Sequence, residues 1–170
     1  MRSGMTRRSD QEKFDRFTEL VARVLGVPIV SLSLVGPRHG VVTSSSGLPA
    51  PLVLLLAHRF SRHVAASRRP LVIDDARGHP LGANTPAVRD GLVIAYAGVP
   101  LFDTGGRTLG TLCVMDTRPR AWTRDQVERL YDVAWVLRHA VDWRTPQRPG
   151  EPRKWRRAAE GRSTPRPSHG

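Results

Sequence analysis

Residues Tyr96–Asp116 read YAGVPLFDTGGRTLGTLCVMD in one-letter code, and this stretch decides the fold. Two apolar runs rich in strand-forming residues flank a Gly-rich turn, and an Asp closes the second. Gly105 and Gly106 supply the positive φ angles that a tight reversal between paired strands needs. Along the second run, Leu109, Thr111, Cys113 and Met115 alternate with Gly110, Leu112 and Val114. Both sets carry large apolar residues, so the pattern predicts a central hairpin covered on both faces.

Working outward, the same punctuation divides the rest of the chain. A helix is expected from about Asp10 to Leu25, stopped by Gly26 and followed by Pro28. Its residues Phe14, Phe17, Val21 and Val24 form one apolar stripe. Val27–Val35 and His39–Ser45 read as strands joined at Gly36-Pro37. Leu52–Ser67 reads as a helix and Leu71–Ile73 as a short strand. From Asp74 to Gly91 periodicity is lost among Gly78, Pro80, Gly82, Asn84 and Pro86, which predicts a long loop suited to a lid or pocket wall. Thr123 and Gln126 form a capping box for a last helix reaching about Val141, with Val127, Leu130, Ala134, Leu137 and Val141 on one face.

Size and charge bound the function. A length of 170 residues suits one domain with a core rather than two. The net charge is +12, unevenly spread. Residues 14–142 carry only +4, while 144–170 carry +6. Arg outnumbers Lys 25 to 2, a bias consistent with a G+C-rich coding sequence. The single cysteine excludes an internal disulfide and a multi-thiolate metal site, and Cys113 in an apolar strand reads as buried core. No apolar run approaches the length of a membrane span and the N-terminus lacks a signal-like apolar segment, so a cytoplasmic protein without membrane contact is expected.

The order of elements resembles that of a GAF domain, and several segments carry the resemblance. VIDDARGHPLGANTPAV (Val72–Val88) is similar to the family's strand, Asp-Ala and Asn-containing loop. AYAGVPL followed by LGTLCVMD is similar to its paired C-terminal strands. RPRAWTRDQVERL (Arg118–Leu130) resembles the lead-in to its last helix, and SLVGPRHGVVTSSSGLP (Ser33–Pro49) its second strand. The match spans about residues 12–142 and is nearest to bacterial GAF domains found beside serine phosphatases, histidine kinases and diguanylate cyclases.

The resemblance implies an α+β, GAF/PAS-like fold. Its central, mainly antiparallel sheet has five to six strands, with terminal helices on one face and a small-molecule pocket on the other. It divides the chain into a flexible N-terminus (1–11), the GAF domain (12–143) and a basic, Pro/Arg-rich disordered tail (144–170). Phe60, Ser61, His63, Asp75, Asn84, Arg89 and Tyr96 fall on the segments that line the family's cavity. Ser61 stands where relatives often carry Cys, within Arg59-Phe60-Ser61-Arg62-His63.

Catalysis is not expected. GAF domains that reduce free methionine sulfoxide need several cysteines, and Ser61 and His63 diverge on a helix. His58 and His63 are five apart, off the spacing that converges on a metal. The cyclic-nucleotide motif is absent, and no haem, bilin or other cofactor is predicted. The expected role is a stand-alone sensory domain that binds an unidentified small molecule without covalent attachment. Its signal would reach a partner protein through the terminal helices. The same helices supply the seams of an expected homodimer: Phe14, Phe17 and Val21 on the first, Val127, Leu130 and Leu137 on the last. Two alternatives remain open: a ligand-free dimerisation scaffold, and a nucleic-acid-binding regulator acting through Arg153, Lys154, Trp155, Arg156 and Arg157 of the tail.

Overall fold

The computed structural model describes residues 3–36, 40–48 and 50–142. Helix α1 (Ser3–Leu25) leads into strands β1 (Ile29–Gly36) and β2 (Gly40–Ser46), then helix α2 (Ala50–Ser67) and strand β3 (Leu71–Ile73). A 3-10 turn (Ala76–Gly78) and the short helix α3 (Pro86–Arg89) precede the hairpin β4 (Ala95–Phe102) and β5 (Thr108–Asp116), and α4 (Arg124–Asp142) closes the domain. Residues 37–39 of the turn after Gly36, and the tail residues Arg153, Lys154, Trp155, Arg156 and Arg157, lie outside the described residues.

All five strands pair antiparallel in the order β2-β1-β5-β4-β3. The 96–116 hairpin therefore forms the middle of the sheet. Its turn is held by Asp103, whose carboxylate accepts from the Arg107 backbone N–H (2.8 Å) and guanidinium (2.7 Å). Only Gly106 takes a positive φ (+80°).

Each face carries its own core. Against α1 and α4 lie Val30, Leu32, Leu34, Ala97, Val99, Leu101, Leu112 and Val114. Against α2 and the 74–94 segment lie Ile29, Ile73, Tyr96, Cys113 and Met115. One residue departs from the expected alternation. A bulge at Leu101/Phe102 pairs Leu101 with Gly110 and Phe102 with Thr108, so Leu109 is skipped and joins the cluster under the terminal helices.

The helices differ from their sequence patterns in instructive ways. α1 begins at Ser3 rather than at Asp10. It ends as Gly26 predicts: that residue adopts φ +61°, and the Val27 N–H reaches back to the Ala22 carbonyl at 3.1 Å, a Schellman closure. α2 ends with Arg68 in the left-handed region (φ +57°), its N–H bonded to the Val64 carbonyl at 3.0 Å. The Arg68 guanidinium in turn donates to the Gly106 carbonyl and lies 5.0 Å from the Phe102 ring centroid, tying α2 to the hairpin tip. In α4 the capping box forms in both directions, Thr123 Oγ1 with the Gln126 N–H and Gln126 Oε1 with the Thr123 N–H.

The residues of the expected dimer seam also take part in the fold itself. Val21, Leu130 and Leu137 are buried and Phe14 and Phe17 half-buried, all packed into the core beneath the terminal helices, and Val127 is half-buried. Val24, expected on the same stripe, is 50% exposed. The face of α1 that meets the sheet instead runs through Thr18, Val21 and Leu25.

Candidate functional site

α2 lies across the sheet face opposite the terminal helices. Phe60 and Val64, one turn apart, point into the sheet and are fully buried, and Ser61 beside Phe60 is half-buried. Tyr96 on β4 is also fully buried, its ring 4.9 Å from that of Phe60. Gly98, two residues along the strand, has no side chain to occupy the space that the tyrosine ring takes. The floor of this face is thus an aromatic pair seated on a glycine.

A polar chain runs through it. Ser61 Oγ lies 3.3 Å from Tyr96 Oη and 3.9 Å from Cys113 Sγ, and the Cys113 thiol donates to the Ser31 carbonyl at 3.6 Å. Each side-chain group owns one proton. With the thiol proton on Ser31, Ser61 donates to Sγ and accepts from Tyr96, which orders the chain from phenol to carbonyl. Burial pushes the Cys113 thiol up to about 11 and the Tyr96 phenol well above its ordinary value. Every group in the chain is therefore neutral at neutral pH. The thiolate needed for nucleophilic or redox chemistry is suppressed.

The other sequence-predicted residues lie elsewhere. His63 is exposed on α2, turned from the buried side that Phe60 and Val64 occupy. Asn84 and Arg89 are exposed in the 74–94 segment. Asp75 caps the 3-10 turn and is paired with Arg77, whose hydrogen bonds hold its carboxyl at about 2. Of the seven predicted residues, the structure brings together Phe60, Ser61 and Tyr96. It adds Cys113 and Ser31 to them. Ser31 carried a readable signal: in the central strand VSLSL, the serines alternate with Val30, Leu32 and Leu34, marking a polar line on one face.

The long segment closes this side rather than standing clear of it. Ala76, Ala87, Val88, Val93 and Ile94 join the same core as Phe60 and Tyr96, and Leu81 packs against it. Its base is secured by the β5–α4 connection. There the Asp74 carboxylate accepts from the Trp122 N–H, Trp122 Nε1 donates to the Ile73 carbonyl, and Arg120 bridges Asp116 and the Gly26 carbonyl. Among the described residues no group of His, Cys, Asp and Glu side chains is placed to hold a metal ion, and no helix is long and apolar enough to cross a membrane.

A central antiparallel sheet with paired terminal helices behind it and a middle helix over a mixed aromatic and hydroxyl floor defines a small α+β domain of the GAF/PAS-like kind. The GAF domain family matches residues 11–140, and the chain belongs to that family. Among solved structures, a GAF domain from Synechocystis in its photoproduct state is similar, at 17% identity and a TM-score of 0.61, covering 77% of this chain and 92% of that one. The GAF domain of an Acinetobacter phosphoenolpyruvate-protein phosphotransferase is 21% identical (TM-score 0.58; 76% of this chain, 82% of that one). The free methionine-R-sulfoxide reductase of Neisseria meningitidis, solved with its substrate, is 19% identical (TM-score 0.58; 76% and 75%). No curated protein matches the chain. At these identities the structural likeness speaks for the fold, and GAF domains generally act in sensing or regulation.

Proposed function

We propose that this is a non-catalytic, cytoplasmic bacterial GAF domain that binds a small, uncharged, hydrogen-bonding molecule over the Phe60–Tyr96 floor and passes the event to a partner through its terminal helices. The observation that carries the reading is the ordered chain Tyr96–Ser61–Cys113–Ser31. It includes the half-buried Ser61, so a ligand hydroxyl or carbonyl meeting Ser61 joins a polarised series. Among the described residues the buried charged side chain is Asp103, held in the hairpin turn by Arg107, which disfavours an ionic ligand at the floor. Thermal-shift screening tests it. Stabilisers are expected whose effect is lost in Ser61→Ala and reduced in Tyr96→Phe. A flat screen, with no ligand retained in native mass spectrometry, refutes it in favour of a ligand-free scaffold.

A dimer surface is proposed on the same helices. Among the described residues, the large apolar side chains that the terminal helices leave exposed are Leu20 and Val24 on α1 and Trp135 and Val136 on α4, beside the half-buried Phe14, Phe17 and Val127. A self-associating surface on these helices predicts a dimer in light scattering that Leu20→Asp with Trp135→Asp converts to a monomer. A wild-type monomer at high micromolar concentration refutes it.

A further inference from the structure

The side of α2 that faces away from the sheet has a composition unlike the rest of the domain. Between Glu19 and Asp74 the chain contains no acidic residue. In the described part of α2, His58, Arg59, Arg62 and His63 are all exposed, and Arg68 and Arg69 follow at its end. Elsewhere carboxylates hold Arg23, Arg77, Arg107, Arg120, Arg124 and Arg129 in ion pairs. Among the described residues, Arg59, Arg62 and Arg69 have no such partner, and neither do Arg16 and Arg118 on other elements; what sets α2 apart is that Arg59 and Arg62 stand together. Arg89 is also exposed, on α3, whose Ala87 and Val88 share the core of Phe60 and Val64.

We infer that this outer face of α2 docks the phosphate backbone of a nucleic acid. Arg59 and Arg62, three positions apart, lie on one side of the helix about 4.5 Å apart along its axis, presenting two guanidinium forks of the kind that grip phosphate oxygens in bidentate fashion. An acidic protein would match the charge but not the rest of the surface. Protein interfaces concentrate their energy in aromatic and apolar anchors. The described part of the α2 face exposes only His, Arg, Ala and Ser, while the large hydrophobics exposed among the described residues, Leu20, Val24, Val72, Leu92, Trp135 and Val136, lie on other elements. Phe60 and Val64 pack the described part of this helix into the core, and Arg68 at its end ties back to the hairpin, whereas among the described residues no carboxylate holds Arg59 or Arg62. The surface is separate from the buried Ser61 chain, and this inference stands whether or not that chain binds a ligand.

The test is fluorescence anisotropy of the full chain with a labelled mixed-sequence DNA duplex, titrated over a range of salt concentrations. Arg59→Gln/Arg62→Gln is expected to weaken binding about tenfold and to lower the slope of log affinity against log salt by about 2, roughly one for each phosphate no longer neutralised. Arg124→Gln/Arg129→Gln removes the same charge from α4 and is expected to leave affinity and slope nearly unchanged. Melting temperatures of both variants establish that they fold. Failure of the wild-type chain to bind the duplex overturns the inference. So does an equal loss in the two variants, which would assign binding to net charge alone. A poly-glutamate peptide binding more tightly than the duplex, with the same dependence on Arg59 and Arg62, overturns it in favour of an acidic protein partner.

Discussion

Gly98→Ala is the smallest change that tests how the ligand-side floor is built. A Cβ at this position would lie 2.8 Å from both Cε1 and Cζ of Tyr96 and in hard overlap with its hydroxyl oxygen. Neither side can give way easily. Gly98 is paired to Cys113 on one side and Leu71 on the other, so its backbone is fixed within the sheet. The tyrosine ring is fully buried against Phe60. The overlap must be relieved by tilting the ring off its rotamer, an overpacking cost of about 1–3 kcal/mol. Losing the Tyr96–Ser61 hydrogen bond adds about 1 kcal/mol. With a urea m-value of about 2 kcal/mol/M, the midpoint should fall by roughly 1 M or more. Tyr96→Ala alone removes a large buried ring and should cost about 3–5 kcal/mol. In the double variant the added methyl no longer meets the ring and partly fills its space. The two changes should therefore be less than additive by about 1 kcal/mol or more, well outside the additivity expected of independent sites. A wild-type midpoint in Gly98→Ala, or strict additivity in the double variant, refutes the ring-over-glycine arrangement.

Three further outcomes follow from other parts of the fold. Arg68→Ala and Arg68→Gly both remove the guanidinium from Phe102 and the Gly106 carbonyl, but glycine accepts φ +57° without the strain an L side chain bears; the Gly variant should be more stable than the Ala variant in urea melts by about 1 kcal/mol. Arg120→Ala breaks the ion pair to Asp116, the bond to the Gly26 carbonyl and the stacking on Trp122, and should cost about 1–3 kcal/mol in urea melts, with Arg120→Lys recovering only a minor part because it lacks the fork. The Cys113 thiol, raised to about 11 by burial, is held neutral by the fold. Its contribution is complete below the unfolded value of about 8.5 and is lost as pH rises from there through the folded value, because only the unfolded thiol ionises in that window. Cys113→Ala should flatten the alkaline limb of a stability–pH curve, and the native thiol should react with a disulfide reagent only as fast as the domain opens; rapid labelling of the folded protein refutes its burial.

Much of the architecture is legible in the sequence because its signals are local. The 96–116 stretch specifies its own hairpin, Gly26 its helix stop, and Thr123 with Gln126 their capping box, each through interactions within a few residues. Leu109 escapes such a reading because the bulge that turns it over is a property of strand pairing, and alternation in a single strand cannot register it. The binding residues divide along the same line. Phe60 and Tyr96 are large and apolar, so burial drives them together and their segment alone locates them. His63, Asn84 and Arg89 have no apolar drive, and lying on the right segment does not decide which way they point. The reverse holds for Cys113 and Ser31. An apolar strand presents the cysteine as mere core, and the alternation around Ser31 marks a polar line without naming its partners, because a hydrogen-bond chain joining residues 31, 61, 96 and 113 exists only once three strands and a helix have met. The expected dimer seam has a competing physical explanation. An amphipathic stripe reports that a helix face is covered, and the sheet, which every copy of the chain carries with it, has first claim on that face. Surfaces that mediate association must then be sought among the apolar residues left over, such as Leu20, Val24, Trp135 and Val136, which the sheet leaves uncovered.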